Sequence, residues 1–203
     1  MNQIDQFYIE SLSAAVLSIA PVPKEQMIKA AKIFEFRRLR PGEFLVRQGE
    51  PASEFAFIIS GVVKEFYTTE KGAAFIKTFC IPGEFTGSYF DLLSKQPSTA
   101  SIEAVNACEL AVAKFVDYFA LFDEHPAWER VGRKVAESLF IKKAKREYEL
   151  LALSPPERYL LFKKNLPQVE KLVPDYMIAS YLGITPVALS RIRTRLKGEG
   201  KIS

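Results

Sequence analysis

Pro174–Ser203, PDYMIASYLGITPVALSRIRTRLKGEGKIS, is the stretch from which the rest of the chain is read. Two short helical patterns meet in it at Gly183. The first is Tyr176–Leu182, apolar at Ile178, Ala179 and Leu182; the second is Thr185–Lys197, apolar at Leu189, Ile192 and Leu196. Thr185 is placed to N-cap the second, because its hydroxyl can accept from a free amide of the next turn. Pro186 follows at the first helical position, where a missing N–H costs little. These are the marks of a helix-turn-helix. Successive residues turn by about 100° around a helix axis. Leu189, Ile192 and Leu196 therefore share one side, and Val187, Ser190, Arg191 and Thr194 point the opposite way, flanked by Arg193, Arg195 and Lys197. Such a helix fits a major groove, guanidinium and hydroxyl groups meeting base edges and the flanking cations meeting phosphates. A solvated basic face on an ordinary helix hairpin has the same pattern, so the reading turns on what lies upstream.

The charge is divided along the chain. Residues 1–132 hold 13 Lys and Arg against 17 Asp and Glu, net −4, while residues 133–203 hold 15 against 7, net +8. A basic C-terminal third on an acidic body suits a separate polyanion-binding module. No run of about 18 apolar residues occurs, and MNQIDQFYIE lacks the basic-then-apolar plan of a signal peptide, so a cytoplasmic protein with no membrane partner is expected. Cys80 and Cys108 are two thiols far apart, which fits buried cysteines rather than a disulfide framework or a Cys-rich metal site.

Residues 4–20 carry a helical period closed by Pro21 and Pro23, and a short helix over Lys24–Phe34 follows. From Glu35 to Ala113 turn signals recur about every ten residues: Pro41-Gly42, Gly49-Glu50-Pro51, Ser60-Gly61, Lys71-Gly72 and Pro82-Gly83. Between them lie β-rich runs, among them EFAFIIS, in which Phe55, Phe57 and Ile59 alternate as in a half-buried strand; an antiparallel sandwich or barrel is predicted. Phe115–Phe122 is again helical. A long helix then runs from Pro126 to Leu153, with Trp128, Val131, Val135 and Leu139 at three-and-four spacing and Phe140, Ala144, Tyr148 and Leu151 continuing after a shift. At about 1.5 Å per residue it is roughly 40 Å long. A small domain rarely covers that length, so a partner helix is expected, most simply from a second copy of the chain. Ser154-Pro155-Pro156 ends it and starts a helix over Glu157–Leu166, which Pro167 stops; with the two helices of the C-terminal stretch this makes a three-helix, winged-helix-type head.

The order of parts, with the strings RPGEFLVRQGEPASEFAFIISGVVKEFY, IPGEFTG and IASYLGITPVALSRIRTRL, resembles the cyclic-AMP receptor/FNR (Crp-Fnr) family of bacterial transcription regulators over nearly the whole chain. The resemblance implies an α+β protein. Residues 1–125 would form a cyclic-nucleotide-binding-like antiparallel β jelly-roll sensor with N-terminal helices, residues 126–153 a dimerisation helix, and residues 154–203 a (winged) helix-turn-helix. It implies double-stranded DNA and a second copy of the chain as partners, with RNA polymerase as a further candidate and an unknown small-molecule effector. The DNA-binding residues expected are Thr185, Ser190, Arg191, Arg193, Thr194, Arg195 and Lys197. Ser190, Arg191 and Thr194 would read bases; Arg193, Arg195 and Lys197, with Lys201, would hold phosphates. Arg191 matches a position where the family places a base-reading Arg, whereas two readers expected one turn earlier are replaced by Pro186 and Val187. The sequence reaches Ser203 where a β-hairpin wing would follow, and a short or missing wing is expected.

The sensor departs from the family pattern. Members that bind cyclic nucleotide follow the glycine corresponding to Gly87 with a Glu for the ribose and carry Arg-Ser/Thr-Ala for the cyclic phosphate. Here the residues are Ser88 and Ser98-Thr99-Ala100. A buried phosphate without its guanidinium loses a strong charge-assisted contact, so useful cyclic AMP binding is not expected. The pocket of Gly87, Ser88, Ser98 and Thr99 is left to another ligand or to none. Two cysteines are too few for a four-thiolate iron–sulfur cluster, and the one histidine, His125 before Pro126, reads as a surface or capping residue; no cofactor or metal is expected. A jelly-roll oxygenase or isomerase needs two or three His around a metal, and no catalytic residue is assigned. The remaining alternative is an interaction module whose helix-turn-helix no longer binds DNA.

Overall fold

The computed structural model describes residues 3–202. Helices α1 (Gln3–Ile19) and α2 (Lys24–Ala31) precede strands β1 (Glu35–Leu39), β2 (Phe44–Val46), β3 (Glu54–Ser60), β4 (Val63–Thr68), β5 (Ala74–Cys80) and β6 (Phe85–Gly87). A short helix α3 (Tyr89–Leu93), strands β7 (Ser101–Ala104) and β8 (Cys108–Lys114) and helix α4 (Phe115–Glu124) complete the first part. The strands form two four-stranded antiparallel sheets, ordered β1-β8-β3-β6 and β2-β7-β4-β5. This is the antiparallel barrel that the spacing of turn signals predicts.

Ala56, Ile58, Leu110 and Val112 of the first sheet meet Val63, Cys80, Ile102 and Ala104 of the second in the space between them. On the other face of the first sheet, Phe57 and Ala111 lie under a helical layer contributed by Leu12, Val16, Leu121, Trp128 and Val131. β3 is therefore buried on both faces from Phe55 to Ile58. The sequence alternation had suggested a half-buried strand; the small Ala56 conceals the second apolar face. Both cysteines are buried free thiols, and burial pushes the Cys80 thiol well above its usual range, with the nearby Glu65 carboxylate adding to the effect.

Helix α5 (Pro126–Ala152) starts on the barrel. His125 caps it, its Nδ1 accepting from the Ala127 amide at 3.1 Å, and Trp128 donates from Nε1 to Gln26 Oε1 at 3.3 Å. Gly132 lets α4 and α5 close up, because a Cβ there would sit 2.5 Å from the Phe122 ring. Past Val135 the helix leaves this core. At about 100° per residue, Phe140, Ala144, Tyr148 and Leu151 fall on the side opposite Trp128, Val131 and Val135, with Ala136 and Ile141 at the margin. Phe140 is 73% and Leu151 80% exposed.

The C-terminal part has four helices rather than the three expected: α6 (Pro155–Asn165), α7 (Pro167–Leu172), α8 (Asp175–Leu182) and α9 (Pro186–Gly198). Pro167 ends α6 but also opens α7 at its first position, where proline is well suited. Ser154 and Glu157 cap α6, the carboxylate accepting from the Ser154 amide at 2.8 Å and its hydroxyl at 2.6 Å. Tyr159, Phe162, Val169, Ile178, Leu182, Leu189 and Leu196 form the core of this head, and Ile202 packs against it.

That core continues into the barrel through Val62, Ile76 and Phe79. β5 is an edge strand, and α8 docks on it. The Ser180 hydroxyl accepts from the Ile76 amide and donates to the Ala74 carbonyl, each at 3.0 Å. Beside it Phe79 meets Tyr181 and Phe162, with ring centroids 5.7 Å and 6.4 Å apart. The Arg146 guanidinium of α5 lies over Tyr181, 3.9 Å from the ring centroid.

Arg158, buried inside α6, ties the ends of two other helices together. Its Nε donates to the Leu182 carbonyl at 3.0 Å, and its NH1 to those of Leu153 at 2.7 Å and Leu150 at 3.3 Å. These are carbonyls that helix geometry leaves without a partner. Arg158→Met fills the space but strands buried acceptors, and is expected to destabilise the head by about 3 kcal/mol, read as a lower midpoint in chemical denaturation. Arg158→Lys should recover only part of this, because an ammonium lacks the planar fork that spans both helix ends.

Candidate nucleic-acid interface

α9 is set by its two ends and one face. Gly183, with φ 69°, takes the left-handed conformation that closes α8 and lets the chain turn within three residues. Thr185 then caps α9, its Oγ1 accepting from the Ala188 amide at 3.2 Å, and Pro186 occupies the first turn. Leu189 and Leu196 are buried and Ile192 partly so, which fixes the rotation of the helix. Val187, Ser190, Arg191, Thr194 and Lys197 are all exposed on the other side. Among the described residues neither the Arg191 guanidinium nor the Lys197 ammonium has an intramolecular hydrogen bond or ion pair. The Thr194 hydroxyl donates to the Ser190 carbonyl at 3.1 Å, keeping lone pairs and its methyl group free. Arg195 pairs at 3.3 Å with Glu199, which also pairs with Lys201 at 2.7 Å; the arginine remains 60% exposed.

Arg193 departs from expectation. It is turned into its own domain, donating from Nε to Tyr159 Oη at 3.1 Å and pairing with Asp175 at 2.6 Å and Glu170 at 3.7 Å. Burial works against its charge, but the hydrogen bonds to Asp175 and Tyr159 outweigh it and its pKa is raised. The reason is angular. Two residues on from Arg191 is a rotation of about 200°, which places Arg193 beside the Leu189–Leu196 face, while Arg195 returns to within about 40° of Arg191. Arg193 is thus a clamp between α6, α7, α8 and α9 rather than a free phosphate-binding cation. The 100° step that sorted the leucines could have shown this.

The sensor corner is closed. Ser88 and Ser98 are buried and hydrogen-bonded to each other through their hydroxyls, and the Ser98 Oγ donates to the Ala100 carbonyl at 2.7 Å. Gly87 sits in β6 opposite Phe55, and Thr99 is exposed. Thr99 nevertheless gives both its amide, at 2.9 Å, and its hydroxyl, at 3.2 Å, to the carboxylate of Asp91 in α3. Asp91 is 3% exposed and its other oxygen, Oδ1, is buried with no hydrogen-bond partner. The Asp91 carboxyl therefore already takes both donors of Thr99, its amide and its hydroxyl, and neither is left for a ligand. Sequence reading missed Asp91, although a lone carboxylate in the apolar run SYFDLL was a signal. Among the described residues, surface cavities of about 470 Å³ at Lys29, Ile33, Asp117 and Leu121 and of about 400 Å³ at Ser11, Ala15, Phe57 and Gly83 lie elsewhere.

Comparison with known proteins agrees with this fold. Residues 36–125 match the cyclic nucleotide-binding domain family. The chain is 27% identical over 183 residues to the transcriptional activator protein Anr of Pseudomonas aeruginosa, covering 82% of this chain and 72% of that protein. It is 26% identical over 194 residues to the nitrogen fixation regulation protein FixK of Bradyrhizobium diazoefficiens, covering 87% and 80%. Among solved structures, FixK2 of Bradyrhizobium japonicum shares the fold with a TM-score of 0.71 at 20% identity, covering 83% of this chain and 86% of that one. Among the described residues no helix is long and apolar enough to cross a membrane.

Proposed function

Given that the chain belongs to the Crp-Fnr family of DNA-binding transcription regulators, we propose that it acts as a cytoplasmic homodimer, without enzymatic activity, whose two α9 helices read one operator. Residues 1–125 are the sensor part, residues 126–153 the dimerisation helix and residues 154–203 the DNA-binding head. The observation that carries the reading is the unpartnered, outward Arg191, on a helix whose rotation is fixed by Leu189 and Leu196. Arg191, Ser190 and Thr194 face the bases, and Arg195 and Lys197, with Thr185 at the helix start, lie along the backbone. Regulators of this family bind DNA and function as dimers, and the exposed Phe140–Leu151 side of α5 supplies an apolar seam for a second copy. RNA polymerase is a further candidate partner.

Selection of binding sites from random duplexes, followed by anisotropy titration, tests this reading. A half-site repeated about one helical turn apart is expected, with affinity falling steeply as salt rises because each neutralised phosphate releases counterions. Binding that is salt-independent, or equal on every duplex, would defeat it. The effector is not expected to be an anion at the Gly87, Ser88, Ser98 and Thr99 corner, since Asp91 already occupies the donors of Thr99. Titration calorimetry with cyclic AMP should accordingly give no binding at micromolar concentrations; a saturable micromolar isotherm would contradict the account of the corner.

A further inference from the structure

We propose that Val187 selects a thymine in each half-site, its isopropyl group packing on the thymine 5-methyl within about two base pairs of the base held by Arg191. This rests on the DNA-binding reading above and adds a base identity to it. Val187 lies on the first turn of α9 and is 60% exposed. It stands one helical turn before Arg191 on the face that also carries Ser190 and Thr194, and the opposite face is locked inward by Leu189 and Leu196. A helix that keeps those leucines buried cannot roll Val187 away.

The first turn of such a helix is the part that approaches base edges. Its other side chains here add no charge: Pro186 is apolar, and the Thr185 hydroxyl already accepts from the Ala188 amide. An isopropyl group can neither donate nor accept. Set against the major-groove edge of guanine, adenine or cytosine, it would cover donors or acceptors and leave them without partners. Thymine alone presents a methyl group there. Four residues of helix advance about 6 Å, and successive base pairs are about 3.4 Å apart, which places this thymine one or two steps from the contact of Arg191.

The test uses the full-length protein and the half-site that it selects from random duplexes. Each thymine is replaced in turn by deoxyuridine, which removes the methyl group and nothing else. One position per half-site should lose about fourfold in affinity, the value of one buried methyl-sized group, and Val187→Ala should abolish the difference at that position. Val187 is exposed, so the variant is expected to fold, and retained non-specific affinity checks this. If the selected site binds but no deoxyuridine matters, or if the penalty is unchanged in Val187→Ala, the thymine assignment is wrong and the DNA-binding reading stands. If no sequence is enriched and no duplex is bound, both fall.

Discussion

Replacing Arg191 with alanine is expected to lower discrimination between the selected operator and an unrelated duplex on the order of a hundredfold or more. A good bidentate contact to a base edge is worth about 1–3 kcal/mol of discrimination, and a dimer loses two. Arg191 can make such a contact because its guanidinium is not committed within its own chain, unlike that of Arg193, which is held by Tyr159, Asp175 and Glu170. Arg191→Lys separates charge from reading. It should keep nearly all of the non-specific affinity and its salt dependence, yet lose most of the discrimination, because a lysine has no fork to span two acceptors. The parallel substitution Arg193→Ala should instead loosen the packing of α9 on α6 and α8 and lower the thermal stability of the head. Unchanged discrimination in both Arg191 variants would remove this residue from the reading face.

Phe140→Glu, or Leu151→Glu, is expected to break the dimer while leaving the single chain folded. Burying a side chain of this size contributes about 1.5–3 kcal/mol, and a two-fold seam loses it twice and gains two buried carboxylates without partners. Dimer affinity should therefore fall on the order of a thousandfold or more, seen by sedimentation at micromolar protein. Within one chain both positions face solvent, so thermal unfolding at low concentration should move little. Operator affinity should fall with the dimer, each head then holding its half-site alone. Trp128 and Val131 provide the contrast. They lie on the inner side of the same helix, and truncating either should damage the barrel itself.

Much of the fold is legible in the sequence because local chemistry sets it. The Thr185-Pro186 start of α9, the glycine turn at Gly183, the capping of α6 by Ser154 and the recurrent Pro-Gly turns of the barrel all act within a few residues. What escaped was set by tertiary contacts or by reading one signal too simply. Pro167 both stops α6 and starts α7, and a proline read only as a breaker hides the second helix. β3 is covered on both sides because α1, α4 and α5 lie outside the sheet, which alternation alone does not reveal. Asp91, whose apolar surroundings in SYFDLL were the signal, and Arg158, which has no such mark, take their roles only in the folded chain: one holds Thr99 across the turn after α3 and the other joins α5 to α8. For the interface the apolar stripe of α9 was correctly placed, but the same angular step was not applied to alternate arginines, and Arg193 was counted outside.

The proposed function requires two copies, clasped along the outer face of α5, to present two α9 helices to one duplex. Sedimentation equilibrium of the full-length protein, free and with its selected operator, measures this directly. Two chains should be found in the free particle at micromolar concentration and two chains on each duplex, and Phe140→Glu should yield one chain when free. A wild-type protein that is monomeric when free and occupies the operator as a single chain would contradict the account.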